Sequence, residues 1–306
     1  MPFTIYSHPD CGQHITPPGH PERVERLPAV MEALAGIKAA HVEAPLVEDA
    51  PLLRAHPADY VSKVTTAPAD GWTSLDPDTH ISATSAPAIR RAAGANVAAV
   101  DLVMGGQAKG AFCATRPPGH HAEKATAMGF CFLANASIAA LHAIEAHGAE
   151  RVAIADFDVH HGNGTQDVFW DDPRVVFASS HQSPLYPGTG MEHETGAGNI
   201  HNATIPPMGG SAEFRQVWND RLLPAIDAHA PDLVIISAGF DAHTCDPLAN
   251  LNVTDEDFAW ITEKLCDLAD KHSQGRVVST LEGGYDLSGL ATGAAAHVEV
   301  LAERCA

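Results

Sequence analysis

The sequence predicts a single doubly wound α/β domain, a mainly parallel sheet between helix layers, and three observations carry that reading. Short β-branched runs alternate with longer amphipathic stretches, the repeated βα order that builds a parallel sheet. Several runs, RVAIA at 151–155 and LVIIS at 233–237 among them, are apolar on both sides of the alternation, as strands covered on both faces are. His, Asp, Gly and Tyr gather just after the runs, at the carboxyl ends of strands, where such sheets place their ligand sites.

In chain order the strand candidates are Thr4–Ser7, 111–115, 151–155, 175–178, 233–237 and 276–281. Helix candidates are 87–104, Asn135–His147, 212–229, Asp255–His272 and Leu287–Arg304. No linker, repeat or low-complexity tract interrupts them, so residues 1–306 read as one domain. An apolar fraction of 45% against 18% charged suits a large core and argues against disorder. Lys plus Arg number 18 and Asp plus Glu 38, a net charge of −20. That balance excludes nucleic acid as a partner, because phosphate affinity comes from Lys and Arg. No window is long and apolar enough for a transmembrane helix, and no membrane partner is expected. The opening MPFTIYSHPDCGQHITPPGH lacks the basic and apolar regions of a signal peptide. Cys11, Cys113, Cys131, Cys245, Cys266 and Cys305 form no CxxC pair and read as free thiols in a reducing cytoplasm. A homo-oligomer is left open.

Five strand ends carry the chemistry: RPPGHH from Arg116, DFDVHHGNG from Asp156, SSHQSPLYPGTG from Ser179, AGFDAH from Ala238 and EGGYD from Glu282. Asp156, Asp158 and His160 alternate and so share a side. A carboxylate and an imidazole two residues apart can reach one divalent ion, with Asp241 of GFDAH as the third ligand. Three protein ligands leave coordination open for water and a substrate carbonyl, the pattern of a catalytic site. The pair His120-His121 beside such an ion can shuttle protons, since imidazole titrates near neutrality. Gly283 and Gly284 let the backbone turn sharply and present the hydroxyl of Tyr285, a donor suited to an oxyanion.

GHPERVERL (19–27), RPPGHHA (116–122), MGFCF (128–132), DFDVHHGNGTQ (156–166), PGTG (187–190), SAGFDAH (237–243) and LEGGYD (281–286) together resemble the zinc-dependent histone deacetylase family. The likeness is to its class II branch and to its bacterial histone deacetylase-like and acetylpolyamine amidohydrolases. It implies the arginase–deacetylase fold, with an eight-stranded, mainly parallel sheet between helix layers. It implies one Zn²⁺ per chain on Asp158, His160 and Asp241. His121 would be general base and then acid, with His120 its electrostatic partner and Tyr285 the donor to the carbonyl oxygen. Asp156 would support His120 and help bind a monovalent cation, K⁺, with backbone oxygens of Asp158, His160 and Ser180 and the hydroxyl of Ser179. A second such cation would lie near Phe169, Asp172 and Val175. Phe130 and Tyr186 would wall a channel for an aliphatic stem, the Gly129 carbonyl would accept the substrate amide N–H, and Arg26 would line an internal acetate cavity. Two positions depart from the usual pattern: FLAN (132–135) replaces Phe-Asn-Asn, and Asn163 stands behind His121, as in class II, where class I has Asp.

The implied reaction is hydrolysis of a linear amide, releasing an acyl group from the ε-amine of lysine in a protein or peptide. An acetylated polyamine is the alternative substrate. Leu248 stands seven after Asp241, where a polyamine-selective relative has Glu, and favours acyl-lysine; the charge of −20 pulls the other way. An arginase-type centre with two Mn²⁺ would need a second Asp two beyond Asp241, and that residue is His243. A purely binding module would have no use for the His pair and Tyr285.

Overall fold

The computed structural model describes residues 2–306. Ten strands are β1 (Thr4–Ser7), β2 (Ala40–Glu43), β3 (Trp72–Asp76), β4 (Thr79–Ser82), β5 (Gly110–Cys113), β6 (Val152–Asp156), β7 (Val175–Gln182), β8 (Ile200–Ile205), β9 (Leu233–Ala238) and β10 (Val277–Leu281). The helices are α1 (Arg26–Ala33), α2 (Asp49–Leu52), α3 (Ala58–Thr65), α4 (Ser85–Met104), α5 (Asn135–His147), α6 (Asn163–Phe169), α7 (Ser211–Val217), α8 (Leu223–His229), α9 (Asp255–His272) and α10 (Leu287–Arg304). Eight strands form one sheet in the order β2-β1-β5-β10-β9-β6-β7-β8, and β3 and β4 form a separate hairpin. Every pairing in the large sheet is parallel, so the fold is the single α/β domain the sequence predicts.

Alternation explains the layers. In β6, Val152 and Ile154 join the core shared with α3, α4 and α5, while Ala153 and Ala155 join the core beneath α1, α9 and α10. A strand apolar at every position is what two helix layers require. α5 is Ala-rich and buried from Asn135 through Ile144, so it lies close on the sheet, and it ends at Gly148 in a left-handed turn (φ 71°).

Three differences from the sequence reading have physical causes. The edge strands β2 and β8 escape notice: AHVE is mostly exposed, and IHNATI pairs only with β7, so neither shows a two-sided apolar run. The stretch 212–229 is not one helix. It is α7 and α8 joined by a widened five-residue turn, Trp218–Leu222, next to Pro224, which has no N–H to donate. That widening buries Trp218, whose indole donates to Ser180 Oγ at 3.0 Å. Finally, the β3–β4 hairpin sits on the site rim, where no element is expected. Among the described residues no helix is long and apolar enough to cross a membrane, and all six cysteines are free thiols.

Candidate active site

The four central strands, β5, β10, β9 and β6, point their carboxyl ends to one edge, and each delivers one motif there. Asp156 is the last residue of β6, and the chain beyond it turns on its own carboxylates. The Asp158 N–H donates to Asp156 Oδ1 (3.1 Å) and the His160 N–H to Asp158 Oδ1 (2.9 Å). These local turns, which short acidic side chains favour, bring Asp158 and His160 inward together. From β9, Asp241 arrives opposite, its Oδ1 accepting the Val159 N–H at 2.9 Å.

The resulting centre is compact. One ligand atom each from Asp158, His160 and Asp241 lies within 4.8 Å of the others. His160 Nδ1 stands 3.1 Å from Asp158 Oδ1 and 3.1 Å from Asp241 Oδ2. The backbone closes around it: a Cβ at Gly239 would collide with the Asp158 carboxylate, and one at Gly283 with the carboxylates of Asp241 and Asp158. Gly283 N–H donates to Asp158 Oδ2 at 2.9 Å. Burial works against charge on His160, but its hydrogen bonds to Asp158 and Asp241 outweigh that and hold its pKa up at about 10. Burial, with Asp158 beside it, raises Asp241 to about 7. One imidazole nitrogen and two carboxylate oxygens are a donor set that suits Zn²⁺.

The two adjacent histidines have different surroundings. His120 Nδ1 donates to Asp156 Oδ2 at 3.1 Å, and its Nε2 lies 3.7 Å from Asp158 Oδ2. Burial disfavours its charge, yet Asp158 and Asp156 outweigh burial and push its pKa well above the imidazole value. His121 is driven well below that value by burial and by His120 and His160. Asn163 fixes its tautomer. The Asn163 amide donates to Glu123 Oε1 at 2.9 Å, so its Oδ1 accepts from His121 Nδ1 at 2.7 Å. That leaves His121 Nε2 with a free lone pair.

Tyr285 is 7% exposed, and its N–H donates to Asp246 Oδ2 at 2.7 Å. Arg26 lies behind the ring, its Cζ 5.0 Å from the centroid. It donates to the carbonyls of Gly284 and Glu282 (2.6 Å each) and to Glu22 Oε1 (3.0 Å). The structure thus places Arg26 as a brace of the Tyr285 turn. In front, Phe130 stacks edge-on to Tyr285 (5.7 Å), and Tyr186 stands 5.3 Å from the His121 ring. Gly129 and Phe130 both have positive φ (56° and 68°), and a Cβ at Gly129 would strike His121. The hairpin holds this left-handed pair, unusual at Phe130: the Gly129 N–H donates to Asp78 Oδ1 (3.2 Å) and the Phe130 N–H to Thr79 Oγ1 (3.0 Å). Leu248 is 37% exposed beyond Asp246. Asp156 pairs in register with Ser179 on β7, next to Ser180. The carbonyls of Phe169, Asp172 and Val175 also converge, on the side chain of Asn199.

Residues 20–301 match the histone deacetylase domain. The chain belongs to the histone deacetylase family. Similar members include the histone deacetylase-like amidohydrolase of Pseudomonas aeruginosa, 38% identical over 90% of this chain and 75% of that protein. A probable deacetylase of Archaeoglobus fulgidus is 36% identical over 93% of this chain and 82% of its own length. The crystal structure of the HDA15 HD domain superposes with a TM-score of 0.92 at 34% identity, covering 99% of this chain and 90% of that one. The chain is accordingly a hydrolase acting on amides.

Sequence reading passed over Asp246, Glu282, Asp78 and Thr79 as parts of the site. Glu282 is fully buried and accepts from the N–H groups of Gly119 (2.7 Å) and His120 (3.2 Å), tying the histidine loop to the Tyr285 turn. Burial holds its pKa up near about 7. Its place inside LEGGYD was the available signal; Asp78 could be found only through the WTSLD-PD-THIS hairpin pattern.

Proposed function

We propose that the chain is a zinc-dependent deacetylase that removes acetyl or other acyl groups from the ε-amine of lysine in proteins or peptides. The observation that carries this is the meeting, in one buried site, of the Asp158–His160–Asp241 centre, a His121 with a bare Nε2, and Tyr285. Those three residues would hold the metal. A zinc ion bound there supplies Lewis-acid polarisation of the amide carbonyl and makes water more acidic at the site.

The chain's own groups do the rest. His121 Nε2 takes the proton of the attacking water and returns it to the leaving amine, so amide and water become carboxylate and amine. His120, held against Asp156, keeps positive charge near the developing oxyanion, and Tyr285 donates a hydrogen bond to it. Phe130 and Tyr186 flank an apolar stem, the Gly129 carbonyl accepts the amide N–H, and Arg26 lies along the acetate exit. Asp156 and the Ser179 hydroxyl, with the carbonyls of Asp158, His160 and Ser180, would hold one K⁺.

A second reading has its own observation. Burial chiefly, and after it the charges of Asp78, Asp76 and Glu123 among others, push the Tyr186 hydroxyl's pKa up, so the mouth has an acidic side that a polyamine's distal ammonium would meet. Leu248 offers such a cation no partner, which favours acyl-lysine. Turnover of acetyl-lysine peptides, longer acyl-lysines and acetylated putrescine, cadaverine and spermidine on one zinc-loaded preparation decides. A wide preference for the acetylpolyamines overturns the lysine reading.

A further inference from the structure

Between the end of α6 and the start of β7 three backbone carbonyls close on one point, and a side-chain amide stands in it. Asn199, 5% exposed, donates from Nδ2 to the carbonyl oxygens of Phe169 (2.9 Å), Asp172 (3.1 Å) and Val175 (2.8 Å). Its Oδ1 accepts the Ala197 N–H at 3.1 Å. That contact fixes the amide's orientation: turned over, its oxygen would face three oxygens and its nitrogen an N–H. Two amide hydrogens serve three acceptors, so one hydrogen is shared.

A ring of carbonyls around one point is how a backbone replaces the hydration shell of a monovalent cation. The family resemblance puts a cation near these three residues, and the donor set does not fit one here, because Nδ2 already takes the ion's place. An incoming ion would have to expel the amide and leave a buried NH₂ without acceptors, which is costly. We propose that the Asn199 carboxamide substitutes for a structural cation, so that this cradle binds none. The substitution makes the clip covalent to the chain. It ties the carboxyl end of α6, which opens with the Asn163 that orients His121, to the edge strand β8.

Thallous ion, a heavy stand-in for K⁺, tests this directly. Crystals of the wild type and of Asn199→Ala, grown without K⁺ and soaked in thallium acetate, are compared by anomalous scattering. The expected result is no thallium among the carbonyls of residues 169, 172 and 175 in the wild type and thallium there in the variant. Thallium in the wild-type cradle overturns the proposal. In solution, thermal unfolding in KCl is compared with choline chloride at equal ionic strength. Asn199→Ala should melt about 2–4 °C or more below wild type in choline and regain part of that in K⁺, beyond any K⁺ effect on the wild type. Asn199→Asp, which keeps the shape but trades donors for charge, should regain more, and it carries the test if the alanine variant does not fold. A loss equal in both salts for these variants reduces Asn199 to a hydrogen-bonding clip and contradicts the substitution.

Discussion

Where the proton sits on His121 is decided one residue away. Asn163, turned by its bond to Glu123, accepts from Nδ1 and leaves Nε2 bare, while burial and the neighbouring imidazoles keep the ring neutral. His121→Ala and Tyr285→Phe should each lower kcat by about 10²-fold or more with a smaller change in KM, since in the proposed mechanism each group acts mainly in the transition state. His120→Ala should cost less than His121→Ala. Steady-state kinetics on an acetyl-lysine peptide reads all three, and a Tyr285→Phe enzyme as fast as wild type would remove the phenol from the mechanism. The proposed choice of acyl-lysine over acetylpolyamine is tested at Leu248, which is 37% exposed. Leu248→Glu adds a partly exposed partner for an ammonium, worth on the order of 1 kcal/mol and screened by salt. It should raise kcat/KM for acetylspermidine relative to the peptide several-fold at low ionic strength; a ratio unchanged at both low and high salt would show that Leu248 does not set selectivity.

At the level of elements, the site depends on how closely the turn after β10 approaches the one after β6. Gly283 lies against the carboxylates of Asp158 and Asp241 with no room for a Cβ. Gly283→Ala should therefore lose zinc affinity by at least tenfold while keeping the wild-type circular dichroism. Metal content after equilibration with a zinc buffer measures it, and unaltered affinity would contradict the close fit. This approach also shows what a sequence makes legible. The central strands were readable because two helix layers demand apolar residues at every position, and the cluster of Asp158, His160 and Asp241, which could hold a metal, because turns at strand ends gather such residues in short motifs. β2 and β8 were not: β2 is mostly exposed, and β8, though largely buried, has His201, Asn202 and Thr204 within its six residues and so no apolar run. Nor were Asp246 and Asp78, whose work is to hold the Tyr285 and Gly129–Phe130 backbones. Their partners are set by tertiary contact: the hairpin pattern could mark the turn that holds Asp78 but not what it binds, and Asp246 in its loop carries no mark at all.

Across the whole molecule, buried titratable groups set the response to acid. His297 donates to Thr262 Oγ1 (2.6 Å), whose own hydroxyl goes to Phe258, and accepts from Ser279 Oγ (2.8 Å). Burial lowers its pKa to about 3. Burial likewise lowers His14 to about 4. Glu22 is fully buried, but its ion pairs with Arg116 and Arg26 overcome burial and bring it down to about 2. In all three the unfolded chain binds its proton at higher pH than the folded one. Stability present at pH 7 is therefore lost as pH falls from 6.5 toward 4 and 3 for the histidines, and from 4.5 toward 2 for Glu22. Each group contributes about 1.4 kcal/mol per pH unit within its window. Asp241 and Glu282, held up near 7, work in the opposite sense, so the test is the difference between wild type and His297→Gln: the wild-type advantage in urea midpoint should shrink as pH falls from 7 to 5, and a difference that does not change with pH would contradict a buried neutral His297. The core that carries these groups is large, so the fold should outlast removal of an ion held by three side chains. The most direct test of the account strips the metal, verifies its absence by elemental analysis, and records activity and circular dichroism on the same sample. The account predicts no turnover, an intact spectrum, and activity restored by one zinc per chain; full activity in the verified metal-free protein would contradict it.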